Sequence, residues 1–291
     1  MLKGSLVAIA TPMQDDGALD LAAYRRLIDF HIANGSAAIV AVGTTGESPT
    51  VDVDEHCRLI RTAIEHAAGR VPVIAGTGGN STREAIELTK FAKEAGAQAC
   101  LSVVPYYNRP TQDGLYRHFR AIAEAVGLPI VLYNVPSRTG CNIEATTTLE
   151  LARVGGFVGI KEASGNLHQI TDILVRRPAD FAVLSGDDEI TVPMLALGAD
   201  GLISVVSNVV PRLMRDLVHR GRTGDASGAR ELHERALPWL RAAFVETNPI
   251  PVKAALSMMG RFENVLRSPL VTLEPKHEDA VRSALSAVGA L

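Results

Sequence analysis

The chain carries the stretch Phe157-Val158-Gly159-Ile160-Lys161-Glu162-Ala163-Ser164-Gly165, in which four mostly apolar residues precede a lysine and a short polar segment follows it. This pattern predicts a buried β-strand that ends near Lys161. An ammonium group at a buried strand end has little water around it, and the loss of hydration favours the neutral amine. A neutral lysine amine is a nucleophile whose natural partner is a carbonyl compound. A lysine that reaches out to solvent, or one that pairs with Glu162, would also explain the pattern.

Seven further apolar runs resemble this strand, and amphipathic stretches separate them. The eight predicted strands are residues 6–10, 38–42, 71–75, 99–104, 129–133, 158–161, 182–185 and 201–205, and the helical patterns between them include 21–33, 53–68, 82–95 and 114–125. Strands that alternate with helices favour parallel βαβ units, and eight such repeats predict an α/β protein with a closed (β/α)₈ TIM barrel. An open doubly wound sheet is the alternative, but Gly76-Thr77-Gly78-Gly79-Asn80 lacks the spacing of a dinucleotide-binding turn.

The strand pattern stops after Asn208, and only helical patterns follow. They lie at residues 211–220, 226–244, 251–259 and 276–288, with breaks at Asn248-Pro249-Ile250-Pro251 and Ser268-Pro269. The first of these helices belongs with the barrel. We therefore predict a barrel catalytic domain over residues 1–224 and a C-terminal helical extension over residues 225–291.

The composition limits the class of protein. The 291 residues are 47% hydrophobic and 21% charged, enough for one large α/β domain or two smaller ones, and the net charge of −3 offers no general attraction for nucleic acid or an anionic membrane. Three cysteines without a CxxC pair argue against a disulfide framework and fit a reducing, cytoplasmic location. We expect no signal peptide and no membrane span, because the apolar runs are short. The eight histidines lack ligand spacing, so we expect no metal.

The chemistry of such a barrel lies where the strands end at their carboxyl ends. The predicted ends carry Gly43-Thr44-Thr45-Gly46-Glu47-Ser48, Val104-Pro105-Tyr106-Tyr107-Asn108, Tyr133-Asn134-Val135-Pro136-Ser137-Arg138-Thr139-Gly140, Lys161 and Ser185-Gly186-Asp187-Asp188. Each segment alone has a structural explanation, such as a tight turn or a packed aromatic ring. Together they supply two phenols, a hydroxyl, backbone amides, a guanidinium and a nucleophilic amine. These groups suit imine formation with a keto acid and the proton transfers that accompany it.

Over essentially its whole length the chain resembles the dihydrodipicolinate synthase (4-hydroxy-tetrahydrodipicolinate synthase) family of the pyruvate-dependent class I aldolase superfamily. The motifs that carry the resemblance are Gly43-Thr44-Thr45-Gly46-Glu47, Tyr106-Tyr107-Asn108-Arg109-Pro110, Tyr133-Asn134-Val135-Pro136-Ser137-Arg138-Thr139-Gly140, Gly159-Ile160-Lys161-Glu162-Ala163 and Asn248-Pro249-Ile250-Pro251-Val252-Lys253. The resemblance implies a lyase of lysine biosynthesis that works without a cofactor. It would condense pyruvate with L-aspartate 4-semialdehyde through a lysine Schiff base, the first committed step of the diaminopimelate route.

The resemblance also implies a role for each site residue. Lys161 forms the Schiff base, and the proton relay consists of Thr44, Tyr107 and Tyr133, with Tyr107 presented across a subunit interface. The residues that bind or face the substrates are Thr45, which holds the pyruvate carboxylate, Arg138, which holds the semialdehyde carboxylate, Ile203, whose carbonyl faces the lysine, and Gly186, which lines the pocket.

Assembly and regulation follow from the same resemblance. It implies a homotetramer built as a dimer of dimers, with an allosteric site for L-lysine at a dimer interface. The residues that match this site are Ser48, His56, Asn80, Glu84 and Tyr106. Val53 and Pro49 depart from the pattern of lysine-sensitive enzymes, and we expect weaker inhibition. Glu84 also fits a capping box with Ser81, and His56 also fits an ordinary exposed helix position.

Two alternative functions remain. N-acetylneuraminate lyase or a sugar-acid aldolase would share the lysine, the tyrosine and the glycine-threonine turn, but these enzymes usually lack an arginine at the position of Arg138. A catalytically silent barrel used for binding or regulation is the alternative from another class. The presence of Lys161, Tyr133, Thr44 and Arg138 together argues against it.

Overall fold

The computed structural model describes residues 2–291 as a closed barrel of eight parallel strands. Each strand pairs with the next along the chain, and β8 returns to β1. The strands are β1 Gly4–Ala8, β2 Ile39–Ala41, β3 Val73–Gly76, β4 Ala99–Val103, β5 Ile130–Asn134, β6 Phe157–Glu162, β7 Ala182–Ser185 and β8 Gly201–Ser204. The predicted (β/α)₈ barrel is thus confirmed, and every predicted strand overlaps an observed one.

The helices surround the barrel and continue beyond it. They are α1 Leu21–Ala33, α2 Val53–Ala67, α3 Thr82–Ala95, α4 Gln112–Val126, α5 Pro136–Thr139, α6 Ala145–Ala152, α7 Leu167–Arg176, α8 Thr191–Ala196, α9 Pro211–Arg222, α10 Ala226–Ala242, α11 Ile250–Met258 and α12 Pro275–Ala287. Several begin at a side-chain cap, as at Asp52, which accepts from the N–H of Glu55 while the Glu55 carboxylate accepts from the N–H of Asp52. Such reciprocal caps satisfy amides that lack a partner within the helix.

The first strand lies two residues earlier than its apolar pattern predicts. Ile9 and Ala10 are buried, as the pattern indicates, but the chain leaves the sheet after Ala8. The N–H of Ala10 donates to the side chain of Asn208 at 3.1 Å instead of to a neighbouring strand. Burial is therefore readable from the sequence, whereas the end of the strand depends on a distant amide side chain.

The strands alternate between two apolar layers. In β1, Leu6 and Ala8 point into the barrel interior, and Val7 points into the layer between strands and helices. This alternation is the normal result of a two-residue side-chain period in a closed sheet. The barrel is therefore filled by side chains and leaves its open space at one end.

One irregularity interrupts the pairing of β6 with β5. Ile130 of β5 pairs with Phe157, whereas the next residue, Val131, pairs with Gly159. Val158 is thus an extra residue relative to β5, a β-bulge. From Gly159 onward the pairing is regular, and it sets Lys161 beside Tyr133.

The C-terminal helices pack against the barrel. Trp239 of α10 is fully buried, and its indole N–H donates to the carbonyl of Val206 at 3.2 Å. Lys253 of α11 reaches Glu47, which follows strand β2. The extension therefore contributes buried polar contacts at the carboxyl end of the barrel. Among residues 2–291, no helix has the length and apolar composition to cross a membrane.

Candidate active site

A cavity of about 450 Å³ opens at the carboxyl ends of the strands. Six of the eight predicted catalytic and substrate-binding residues line it: Thr44, Thr45, Tyr133, Arg138, Lys161 and Gly186. They come from segments as far apart in sequence as β2 and β7, which the parallel barrel brings to one edge. The structure thus brings these six residues to one cavity.

Lys161 is the central group of this cavity. Its side chain is only 4% exposed, and its Nζ lies 4.3 Å from the centre of the Tyr133 ring. Its amine forms no hydrogen bond or ion pair with any side chain or backbone group in the range 2–291, while its backbone pairs with β5 and β7. A buried lysine that lines a cavity and has no carboxylate bonded to it can act as a nucleophile toward a carbonyl compound.

The Glu162 carboxylate does not pair with Lys161. Its oxygens accept hydrogen bonds from Asn134 Nδ2 at 3.2 Å, from the Ser164 N–H at 2.7 Å and from Gln169 Nε2 at 3.1 Å. Glu162 follows Lys161 on the strand and therefore points away from the cavity. The alternative in which Lys161 pairs with Glu162 is wrong.

Asp188 supplies a second buried carboxyl close to the lysine. It accepts from Ser204 Oγ at 2.5 Å and from the Val205 N–H at 2.9 Å. Burial raises the pKa of the Asp188 carboxyl to about 6, although these hydrogen bonds and the charge of Lys161 act in the opposite direction. Asp188 is therefore a buried acidic group beside the cavity, held by hydrogen bonds from β8 and the residue that follows it.

The turn after β2 holds Thr44 and Thr45 in a constrained backbone. Val42 and Glu47 flank it, and both have positive φ, 53° and 57°. Positive φ is rare for a residue with a side chain, and for a β-branched residue such as Val42 it is an outlier that the surroundings must stabilise. The turn is therefore fixed from both ends.

Thr45 and Arg138 are joined through Asn248. Asn248 Nδ2 donates to Thr45 Oγ1 at 3.1 Å, and Arg138 Nη2 donates to the Asn248 carbonyl at 3.4 Å. Because Thr45 Oγ1 already accepts this bond, its hydrogen remains available to an acceptor in the cavity. Arg138 lies on the short helix α5, which the sequence does not predict, and its exposed guanidinium faces the cavity.

Two predicted site residues do not line the cavity. Ile203 is fully buried in β8, opposite Leu6, and its side chain belongs to the barrel interior. Tyr107 is 91% exposed and sits at a positive φ of 72° in the loop after β4. Within this single chain its phenol is directed to solvent.

A second cavity of about 270 Å³ adjoins the first and shares Thr44, Tyr133 and Arg138 with it. Ser48 and Tyr106, two of the predicted lysine-site residues, line this second cavity. Asn80 donates through Nδ2 to the carbonyl of Tyr106 at 3.3 Å. These three residues therefore lie near one another, next to the reaction cavity.

His56 and Glu84, the other two lysine-site residues, are placed differently. His56 is buried, and its Nε2 donates to the carbonyl of Gly76 at 2.7 Å, so the interpretation as an exposed helix position is wrong. Burial lowers the pKa of His56. Glu84 is exposed in the first turn of α3, where its N–H donates to the Ser81 side chain at 3.4 Å, but its carboxylate makes no return bond to the Ser81 N–H, so only half of the predicted capping box is present.

Sequence reasoning assigns no role to several residues at or beside the cavity, among them Asn248, which lines it and bonds both Thr45 and Arg138. Asp188 and Glu47 lie inside motifs that were recognised, but no role was predicted for them, and Lys253 belongs to a C-terminal motif with no predicted contact. The signal for Lys253 is its charge in an otherwise apolar stretch, whereas Glu47 lies in a polar turn that offers no such signal. No group of histidine, cysteine, aspartate and glutamate side chains within residues 2–291 is arranged to hold a metal ion.

A parallel (β/α)₈ barrel with an unpaired, buried lysine at the end of its sixth strand defines the class of lyases that act through a lysine imine. Comparison with known proteins identifies the group within this class. The model of the dihydrodipicolinate synthetase family matches residues 1–288, and the chain belongs to that family.

Individual relatives agree with this assignment. The 4-hydroxy-tetrahydrodipicolinate synthase of Nitrosomonas europaea is 57% identical over 99% of both chains. Among solved structures, the chloride-inhibited dihydrodipicolinate synthase of Acinetobacter baumannii in complex with pyruvate superimposes with a TM-score of 0.98, 45% identity and complete coverage of both chains. The enzyme of Cyanidioschyzon merolae with lysine bound gives a TM-score of 0.97 at 41% identity, over 99% of both chains.

Proposed function

We propose that this protein is a 4-hydroxy-tetrahydrodipicolinate synthase, which condenses pyruvate with L-aspartate 4-semialdehyde in the diaminopimelate route to lysine. The observation that carries the proposal is Lys161, buried, unpaired with a carboxylate in the described chain and directed into a cavity with a phenol, two hydroxyls and a guanidinium. Family membership and the pyruvate complex of the A. baumannii relative support it.

The proposed reaction begins at the Lys161 amine. It adds to the keto carbon of pyruvate, and water leaves to give a protonated imine. This imine draws electrons from the adjacent methyl group, so a methyl proton is lost and an enamine forms. The enamine carbon attacks the aldehyde of the second substrate. The amine of that substrate then displaces Lys161, which closes the ring and returns the free enzyme.

The surrounding residues divide the remaining tasks. Tyr133, in contact with Lys161, carries protons to and from the reacting atoms together with Thr44. Thr45 binds the pyruvate carboxylate through its hydroxyl and backbone N–H, while Gly186 and the carbonyl of Ile203 border the lysine. At Gly186 a Cβ would lie 2.9 Å from the Lys161 side chain, so a glycine leaves room for the nucleophile.

Arg138 selects the second substrate in this proposal. Its guanidinium lies at the cavity edge, where it can bind a carboxylate through two parallel hydrogen bonds. A neutral sugar chain would leave this charge unpaired. Arg138 therefore supports an amino-acid semialdehyde over the polyhydroxy substrates of N-acetylneuraminate lyase and the sugar-acid aldolases.

The direct test is mass spectrometry after borohydride reduction in the presence of pyruvate. Reduction fixes an imine as a stable secondary amine, and peptide mapping locates it. We expect one pyruvate adduct per chain, on Lys161, and condensation activity when the semialdehyde is added to unreduced enzyme. A chain that traps pyruvate but gives no product with the semialdehyde would belong to another aldolase.

Tyr107 supports a shared active site between two copies of the chain. Its phenol is 91% exposed here, although the family pattern assigns it to the proton relay. We propose that it completes the relay of a neighbouring subunit, within a homotetramer arranged as a dimer of dimers. We also propose residues 1–224 as the barrel domain and residues 225–291 as its helical extension.

A mixing experiment tests the shared site. Lys161→Ala and Tyr107→Phe chains are each expected to be nearly inactive alone. Mixed under conditions that exchange subunits, they should regain activity, because one site of each hybrid dimer has its own Lys161 and an intact Tyr107 from its partner. The control is a mixture of Lys161→Ala with Lys161→Ala/Tyr107→Phe, which should stay inactive. An active monomer without rescue in the mixture contradicts the proposal.

We further propose that L-lysine inhibits the enzyme from the second cavity, where Ser48, Tyr106 and Asn80 lie beside the active site. A structure of the C. merolae relative has lysine bound, which supports lysine as a ligand. Val53 is 67% exposed and offers no polar contact, so inhibition should be weaker than in enzymes with histidine there. Steady-state rates at millimolar lysine measure it, and Tyr106→Phe is expected to weaken inhibition further. Unchanged turnover at millimolar lysine would remove this proposal alone.

A further inference from the structure

A fully buried ion pair joins the C-terminal extension to the turn that carries Thr44 and Thr45. Lys253 Nζ lies 2.5 Å from Glu47 Oε1, and both side chains are 0% exposed. The second oxygen of Glu47 accepts a hydrogen bond from the Arg267 N–H at 3.1 Å. Both oxygens of this carboxylate are thus bound by residues more than 200 positions away along the chain.

Such a pair is not explained by stability alone. Removing two charges from water carries a large desolvation cost, and apolar residues of similar volume often serve a core as well or better. Burial lowers the pKa of Lys253, while the charge of Glu47 opposes that change. Buried charges of this kind are best attested where they fix one particular arrangement of the chain.

The arrangement fixed here is the backbone of the turn. Glu47 holds a left-handed conformation with φ of 57°, and Val42 on the other side holds φ of 53°. Between them, the carbonyl of Gly46 accepts from Thr11 Oγ1 at 2.8 Å. A residue with a side chain keeps such a conformation only when its surroundings enforce it. The Glu47 backbone is held locally by Thr44 and Thr50, and its side chain is held by Lys253 and the Arg267 N–H.

The same segment also touches the site directly. Asn248, five residues before Lys253, donates to Thr45 Oγ1. The extension therefore acts on this turn at two points, on the hydroxyl of Thr45 and on the carboxylate of Glu47. In the proposed function, the groups so held are those that bind the carboxylate of pyruvate.

We propose that Lys253, acting through Glu47, is a positioning residue that holds the Thr44–Thr45 turn in the geometry that binds the pyruvate carboxylate. This inference rests on the proposed function, because it assigns pyruvate to that turn. Lys253 itself touches no substrate. Its loss should raise the pyruvate concentration needed to form the imine, while Lys161 can still be fully converted at saturating pyruvate.

The experiment measures the half-saturating pyruvate concentration for borohydride-trapped adduct, together with the melting temperature of each variant. In Lys253→Met the buried Glu47 carboxylate loses its partner, so we expect a lower melting temperature and at least a tenfold higher half-saturating concentration. In Lys253→Met/Glu47→Gln the unpaired charge is removed, so the melting temperature should recover. The half-saturating pyruvate concentration should remain raised at least tenfold, because the ion pair that holds the turn is still absent.

The double variant separates positioning from stability. If the pair only stabilises the fold, pyruvate binding recovers together with the melting temperature, or never changes, and the proposal is overturned. If Lys253→Met does not fold, Glu47→Gln alone takes its place. A half-saturating pyruvate concentration within twofold of the wild type, in both Glu47→Gln and the double variant, also overturns the proposal.

Arg177→Met is the matched control. Arg177 pairs with Asp200, a largely buried carboxylate that precedes β8 at the opposite end of the barrel. This control should lower the melting temperature and leave pyruvate half-saturation unchanged. The wild-type enzyme shows whether the proposed function or only the positioning role of Lys253 has failed. If it forms no pyruvate adduct, the proposed function fails, whereas a normal wild type with unaffected variants contradicts the positioning role only.

Discussion

Lys161→Ala is expected to abolish the reducible pyruvate adduct and to lower condensation activity by about 10⁴-fold or more, the scale on which loss of a covalent nucleophile acts. The side chain forms no ion pair in the described chain, so its removal leaves no salt-bridge partner behind. Tyr133 and Asp188 keep their places, and the barrel should fold with a melting temperature close to that of the wild type.

The measurements for this variant are the adduct mass, the condensation rate and the melting curve. Lys276→Ala is a suitable control, since Lys276 is largely exposed on α12 and pairs with Glu274 at the surface. It should keep both the adduct and the activity. A pyruvate adduct mapped to a lysine other than Lys161 would contradict the assignment of the nucleophile.

Arg138→Ala should separate the two substrates. Loss of a charged hydrogen-bond partner costs about 1.5–3 kcal/mol, so we expect kcat/KM for the semialdehyde to fall by about 10- to 150-fold. Pyruvate half-saturation, measured by trapping, should change by no more than about twofold, because Arg138 contacts the Thr45 region only through the carbonyl of Asn248. Arg138→Lys should recover part of the loss, since lysine keeps the charge but not the bidentate geometry.

Arg241 is the control for a positive charge that has no predicted bond to the semialdehyde carboxylate. It also lines the cavity, and Arg241→Ala should affect the semialdehyde less than Arg138→Ala does. If Arg138→Ala impaired both substrates equally, the arginine would organise the whole site and would not be specific for the second carboxylate.

The barrel and most residues that line its candidate site are predictable from sequence because their signals are local. A short apolar run marks each strand, and in a parallel barrel the residue at its carboxyl end faces the site. Lys161 is predictable in this way, since four residues before it already describe its surroundings. Thr44 and Arg138 follow from the same rule applied to strands β2 and β5.

Other features depend on contacts that no local pattern contains. Glu47 and Lys253 pair across 206 positions, and nothing near either residue indicates the other. His56 has the spacing of an exposed helix residue, but the carbonyl of Gly76 lies where its ring can bind it. The short helix α5 is missed because four residues are too few to show a period. Motif matching assigns Tyr107 to the proton relay of a neighbouring subunit, so it predicts no contact for Tyr107 within its own chain.

The extra residue in β6 has a consequence for how this strand can diverge. Side chains alternate along a strand, so Lys161 and Glu162 face opposite sides. Val158 has no counterpart in β5, so loss of one residue from the segment before Lys161 would remove the bulge and leave a regular pairing with Lys161 still beside Tyr133. Loss of two residues would shift the register by one and turn the amine away from the cavity. Descendants of this gene can therefore shorten this segment by one residue, but not by two, and keep Lys161 in place.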